Sequence, residues 1–337
     1  MPQRGAEKPA AGVFFDTDFS TIDSVLAVGL LYGLQGKNDC RVAIVTVSRP
    51  NLAVVGFADA VERFYREPAG NFAQVPPVGM ITTGSAGETP PAFVEPFRKK
   101  KPDGALVYRN QVRSVIDTGD PNTLIRNYLE AQYDGNAIFV LSGPATNLAA
   151  ALTFPGLKEM IAAKVERLVI AGGAFPSGAP EAHIGADIPA ARRVFAEWPT
   201  PIVASGYEIG AGLDFPGASI DKEFSAVPDN PVADAYRAWR TMPYDAPSWA
   251  MAASLYAVRP NEGYFKLSGP GTIHVHDDRR TSFTASDQGR HQYLVNLPEQ
   301  KDRILQAYVE LASAKPVPRQ RFRPVDAAGK PAIPGKQ

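Results

Sequence analysis

Very little in this chain can build a soft-metal centre or a covalent cross-link. Its 337 residues contain one cysteine, Cys40. That excludes an intrachain disulfide and a cysteine-based zinc site. Cys40 stands just before the apolar run 42–47, where a packing role is expected. Four histidines are too few and too scattered for a histidine-rich metal site. Charge of either sign is not in excess: 35 Lys and Arg balance 35 Asp and Glu. A polyanion such as nucleic acid, or a membrane surface, is therefore not an expected partner. The basic cluster Arg98-Lys99-Lys100-Lys101 reads as a solvated loop. No apolar run approaches the ~18 residues a spanning helix needs. The first ten residues are polar and lack an apolar leader core, so a cytoplasmic location is expected; a removed signal peptide would leave the same sequence. The 31 prolines are many, and several follow Lys315. Tails 1–10 and 315–337 are expected to be irregular, around one domain spanning 11–314.

What the chain does have is alternation. Apolar strand-like runs at 12–16, 41–47, 78–81, 137–141, 167–171 and 201–205 are separated by helical patterns at 22–34, 52–66, 122–131, 147–152 and 186–197. That order of βαβ units predicts an α/β fold: a single domain with a mainly parallel, Rossmann-like open sheet flanked by helices. The runs are continuous rather than alternating, as burial on both faces requires. The last third predicts a helix at 250–258 with Ser248 as a possible cap. It also predicts a small antiparallel excursion at 271–275 and 281–284, and a closing helix at 301–314.

The densest chemistry is Phe14-Phe15-Asp16-Thr17-Asp18-Phe19-Ser20-Thr21-Ile22-Asp23-Ser24. Three aspartates fall within eight residues where a strand gives way to a helix. That edge is where open α/β sheets bind ligands. Carboxylates held together there favour a hard cation of the calcium or magnesium type; the plainer reading is a helix cap. Three further loops follow strands: Ser142-Gly143-Pro144-Ala145-Thr146-Asn147, in which Asn147 could cap a helix; Ala171-Gly172-Gly173-Ala174 with Glu181-Ala182-His183-Ile184-Gly185-Ala186-Asp187; and Ser205-Gly206-Tyr207-Glu208.

Taken in order, these loops resemble the nucleoside hydrolases, the inosine–uridine-preferring N-ribohydrolase family. The opening pattern D-x-D-x-x-x-D-D is met by Asp16, Asp18, Ile22 and Asp23. G-P-x-T-N is met by Gly143 to Asn147, and the strand ending in G-G-A by Gly172-Gly173-Ala174. The E-F-N-x-x-x-D stretch is met loosely by Glu181, His183 and Asp187. The resemblance implies a nucleoside hydrolase fold and cleavage of a ribosyl N-glycosidic bond by a calcium-activated water. Calcium would be held by Asp18, Asp23 and the Thr146 carbonyl, and Asp18 would take the proton from the water. Glu181 and His183 would bind ribose hydroxyls, with Tyr207, Tyr244 or Trp249 beside the leaving base. A small nucleoside or ribosyl partner and a homodimer or homotetramer are implied as well.

The chain departs from the family at three points. Ile22 replaces one of two paired aspartates, and His183 replaces an asparagine. The late aspartate of the metal site falls on Ala250, or five residues earlier on Asp245. An alternative reading is therefore a member that binds a nucleoside without turning it over. A reading from another class is a haloacid-dehalogenase-like phosphatase, with Asp16-Thr17-Asp18 as its D-x-D motif and Asp277-Asp278 as its late acidic pair. His274 and His276 share one face of a strand but lack a third ligand. Ser142 lacks a nucleophile elbow.

Overall fold

Strands that are apolar on both faces need cover on both, and the helices of this chain supply it. The computed structural model describes residues 9–66, 75–176 and 178–317. Its strands are β1 (Ala11–Thr17), β2 (Cys40–Val47), β3 (Gly79–Met80), β4 (Ala137–Ser142), β5 (Val165–Ala171), β6 (Ile202–Ser205), β7 (Asp214–Phe215), β8 (Ala246–Pro247), β9 (Lys266–Leu267), β10 (Gly271–Val275), β11 (Thr281–Ala285) and β12 (His291–Val295). The helices are α1 (Ile22–Gly36), α2 (Leu52–Arg66), α3 (Pro121–Glu130), α4 (Thr146–Ala151), α5 (Leu157–Lys164), α6 (Ala182–Ala186), α7 (Ile188–Glu197), α8 (Tyr207–Ala211), α9 (Ser219–Lys222), α10 (Pro231–Trp239), α11 (Trp249–Val258) and α12 (Lys301–Ala312).

Among the described residues, ten strands form one sheet in the order β11-β10-β12-β6-β5-β4-β1-β2-β3, with β9 on β12. The core from β6 through β3 is parallel. β10 and β11 form the expected antiparallel excursion. β12 then returns parallel to β6 and enlarges the sheet beyond the strands read from the sequence. β7 and β8 pair separately.

The two faces carry separate cores. Val13, Phe15 and Val45 face α1, α2, α10, α11 and α12. Phe14, Ile44 and Phe139 face α3, α5 and α7, and Phe14 stacks on Phe139 at 4.6 Å. α1 is buried from Ile22 through Leu34. A helix apolar all round belongs inside, and α1 lies against α11 and α12. Cys40 is buried, with its thiol donating to the Leu31 carbonyl at 3.7 Å, and burial pushes its pKa up. That agrees with a packing role. Lys99 of the basic cluster pairs with Asp229 and Asp234 at the surface. No helix among the described residues is long and apolar enough to cross a membrane. The expected irregular tails lie outside the described residues, apart from 9–10 and 315–317.

Candidate active site

The sheet order brings the four loops together, because β6, β5, β4 and β1 are successive neighbours. Parallel strands end at one edge, so their loops share it.

At the end of β1, Thr17 Oγ1 donates to the Ser142 carbonyl at 2.9 Å, tying the first loop to the second. Gly143 is required there: a Cβ would come within 2.7 Å of the Asp18 nitrogen. Phe19 then takes φ 52°, a left-handed conformation uncommon outside glycine. Its ring is buried against Phe93, which holds the reversal. Asp18 is half-buried, and one of its oxygens accepts from the Ser20 nitrogen at 2.9 Å.

Asp16 points into the protein. Its Oδ2 accepts from Thr46 Oγ1 at 2.5 Å and Asn147 Nδ2 at 2.7 Å, and its Oδ1 is buried without a partner. Asn147 thus ties the second loop to β1 and does not cap α4. Burial pushes the Asp16 carboxyl up to about 7 against the pull of those hydrogen bonds. A carboxyl raised on folding binds its proton more tightly in the folded state. Its contribution is therefore full below the unfolded pKa of 3.8 and is lost as pH rises through about 7. Asp16→Asn is expected to flatten this decline, worth up to about 4 kcal/mol. Urea unfolding at stepped pH checks it; an unchanged slope contradicts it.

The third loop is organised by carboxylates acting as caps. Glu181 accepts from the nitrogens of His183 and Ile184, both at 3.0 Å, and of Gly173 at 3.2 Å. Asp187 caps α7 through the Ala190 nitrogen, and its other oxygen accepts from Thr146 Oγ1 at 2.7 Å. His183 Nδ1 lies 3.0 Å from the Ala171 carbonyl. A carbonyl only accepts, so Nδ1 carries a proton. Nε2 lies 3.4 Å from Ser20 Oγ. Burial pulls the His183 pKa down, but Asp18, Glu181, Asp23 and the Ala171 carbonyl together outweigh it and raise it.

Between these loops lies a cavity of about 250 Å3. Glu181, His183, Tyr207 and Trp249 all line it, with Ser20 and Thr21 from the first loop. Tyr207 and Trp249 stack at 5.5 Å, and Trp249 Nε1 donates to the Tyr207 carbonyl at 2.9 Å. The lining therefore combines the polar Glu181 and His183 with a stacked aromatic pair. Tyr244, the third aromatic candidate, stacks on Tyr236 at 4.4 Å and does not line the cavity.

Asp23 is fully buried and does not line the cavity. One oxygen accepts from Thr21 Oγ1, and the other from the Ala250 nitrogen, with a further bond from the Met251 backbone. It caps α11 from 227 residues away. Ser248, the cap expected from sequence, donates instead to the Leu213 carbonyl. Asp245 is turned elsewhere and accepts from the Gly217 nitrogen at 2.8 Å. Calcium wants six to eight oxygens. Here Asp18 and Asp23 are the two carboxylates left for such a shell, Asp23 has an N–H or O–H donor on each oxygen, and position 250 offers a methyl group. Among the described residues no group of three or more His, Cys, Asp or Glu is placed to hold an ion. The donor set does not fit a calcium shell.

A family model, inosine-uridine preferring nucleoside hydrolase, matches residues 13–288. The chain belongs to this family. Solved nucleoside hydrolases share its fold. The inosine-uridine preferring enzyme from Bacillus anthracis superimposes with a TM-score of 0.65 at 17% identity, covering 90% of this chain and 99% of that one. The purine-preferring ribonucleoside hydrolase from Gardnerella vaginalis gives 0.63 at 18%, covering 90% and 98%. The type III effector XopQ, solved with adenosine diphosphate ribose, gives 0.64 at 13%, covering 93% and 96%. No curated protein matches the chain. Membership in the nucleoside hydrolases sets aside the phosphatase reading, and the geometry concurs. Asp16 is buried, and Asp277 and Asp278 sit on an exposed turn, paired with Arg192 and Arg280.

Proposed function

We propose that this chain binds a nucleoside or related ribosyl compound in the cavity between Ser20 and Trp249 and hydrolyses its N-glycosidic bond. The observation that carries the reading is the make-up of that cavity's lining: Glu181 and His183 are suited to sugar hydroxyls, and the stacked Tyr207 and Trp249 to a base. A volume of about 250 Å3 is just below the usual small-ligand range of roughly 300–1,000 Å3, which restricts the ligand to one of about nucleoside size. The ligand that XopQ was solved with, adenosine diphosphate ribose, widens the candidate class to other ribosyl compounds.

Cleavage of such a bond builds positive charge on the sugar. Glu181 supplies negative charge from the cavity lining, and Asp18 acts from just behind it through His183. Asp18 does not line the cavity but lies close enough to raise the His183 pKa; its second oxygen, without a hydrogen bond among the described residues, serves as the base that takes a proton from the attacking water. His183, held by the Ala171 carbonyl and raised in pKa, presents Nε2 to a hydroxyl. In the family, calcium activates and orients the water; the donors of this chain support no step through it.

The test is release of free base from inosine, uridine and adenosine, followed by chromatography with either EDTA or calcium present. Equal release in both is expected. Release only with calcium would overturn the metal-free reading. The loss of carboxylates at Ile22 and Ala250 favours one second reading, binding without turnover. Calorimetric binding of inosine with no base released would select it.

A further inference from the structure

We propose that a second cavity, between α7, β10 and the start of β12, is a binding site for a small molecule bearing an oxyanion, either a phosphate monoester or a carboxylate. This cavity measures about 440 Å3 and shares no lining residue with the ribosyl cavity. It is lined by Arg192, Phe195, His274, Gln288, Arg290 and His291 among others, and, among the described residues, by no Asp or Glu. In a chain with as many acidic as basic residues, such one-signed lining sets up a local positive potential.

The donors are held in place. Arg192 Nε and Nη2 donate to the Val275 carbonyl at 3.2 and 3.1 Å, and Arg290 Nη1 donates to the Pro199 carbonyl at 2.9 Å. Each guanidinium is thus fixed on one side and keeps further N–H groups for a ligand. His291 is buried, and its Nδ1 accepts from the Ile273 nitrogen at 2.9 Å. An accepting Nδ1 places the ring proton on Nε2. Burial, with Arg290 and His274 nearby, pulls the His291 pKa down to about 4, so at neutral pH the ring is an uncharged donor. The ring meets Phe195 in a T-shaped contact at 5.9 Å. Phe195, Ile273 and Val275 give the cavity an apolar floor for an organic body.

Asp277 pairs with Arg192 at 2.8 Å, but its side chain is 94% exposed. A pair so open to water contributes little, so an incoming oxyanion displaces it readily.

Calorimetric titration of the full chain with inorganic phosphate, glycerol 3-phosphate and citrate tests the site against sodium chloride of equal ionic strength. Saturable binding of at least one is expected, and the comparison of glycerol 3-phosphate with citrate tells which oxyanion is preferred. The double variant Arg192→Gln/Arg290→Gln is expected to weaken it at least tenfold while its melting temperature shows it folded. Trp249→Ala, in the other cavity, is expected to leave it unchanged. No saturable binding of any of the three, or equal binding by the double variant, would overturn the proposal. None of the ligands contains ribose, so failure here leaves the ribosyl reading standing.

Discussion

The Ala250→Asp variant is expected to lose stability in chelator and to regain most of it when calcium is added. Ala250 is fully buried, and its nitrogen donates to Asp23. A carboxylate at 250 would therefore be buried beside another carboxylate. An uncompensated buried charge costs about 3–5 kcal/mol. The positive end of α11 returns at most about 2 kcal/mol. The net loss should lower the melting temperature by roughly 5–10 °C. A divalent cation between the two carboxylates removes the repulsion, so calcium should restore the lost stability. The natural chain should show no calcium shift, because the one carboxylate there, Asp23, already accepts from an N–H or O–H donor on each oxygen. A melting temperature that rises with calcium in the natural chain, and no added dependence in the variant, would show that Asp23 is not acting as a cap.

Asp18→Asn is the second large expectation. The amide oxygen can still accept from the Ser20 nitrogen, so the turn through Phe19 should survive. What is lost is basicity on the one oxygen without a protein partner. General-base catalysis is worth about 10²–10⁴-fold, so kcat should fall by that factor while KM changes little. A KM effect with kcat intact would instead make Asp18 a binding group.

Much of this was legible in the sequence because continuous apolar runs and strand-end loops carry local signals. The helix 52–66 is observed over the same residues, and β1, β2, β4, β5 and β6 lie within a few residues of the runs that predicted them. Glu181 and His183 of one loop, Tyr207 of the next and Trp249 at the start of α11 line one cavity, and the resemblance had named all four. Two things were illegible for physical reasons. β12 is short, and its pairing with β6 depends on a return path through the β10–β11 hairpin that no local pattern encodes. The role of Asp23 was hidden as well. A carboxylate that binds metal and one that caps a distant helix look alike in sequence; the difference lies in the Ala250 and Met251 N–H groups of α11. Ala250 itself was the one available hint, since a methyl group at that register left Asp23 without an ion to share. Asn147 shows the same limit: it follows a Gly-Pro turn as a cap should, yet the burial of Asp16 claims its amide.

The most direct test of the ribosyl site is calorimetric titration of the chain with inosine in EDTA, alongside Trp249→Ala. Aromatic stacking on a base contributes about 1–3 kcal/mol. The expected result is saturable binding without any divalent ion, weakened roughly 5- to 150-fold by the substitution. Binding that requires calcium and ignores Trp249, or no binding at all, would contradict it.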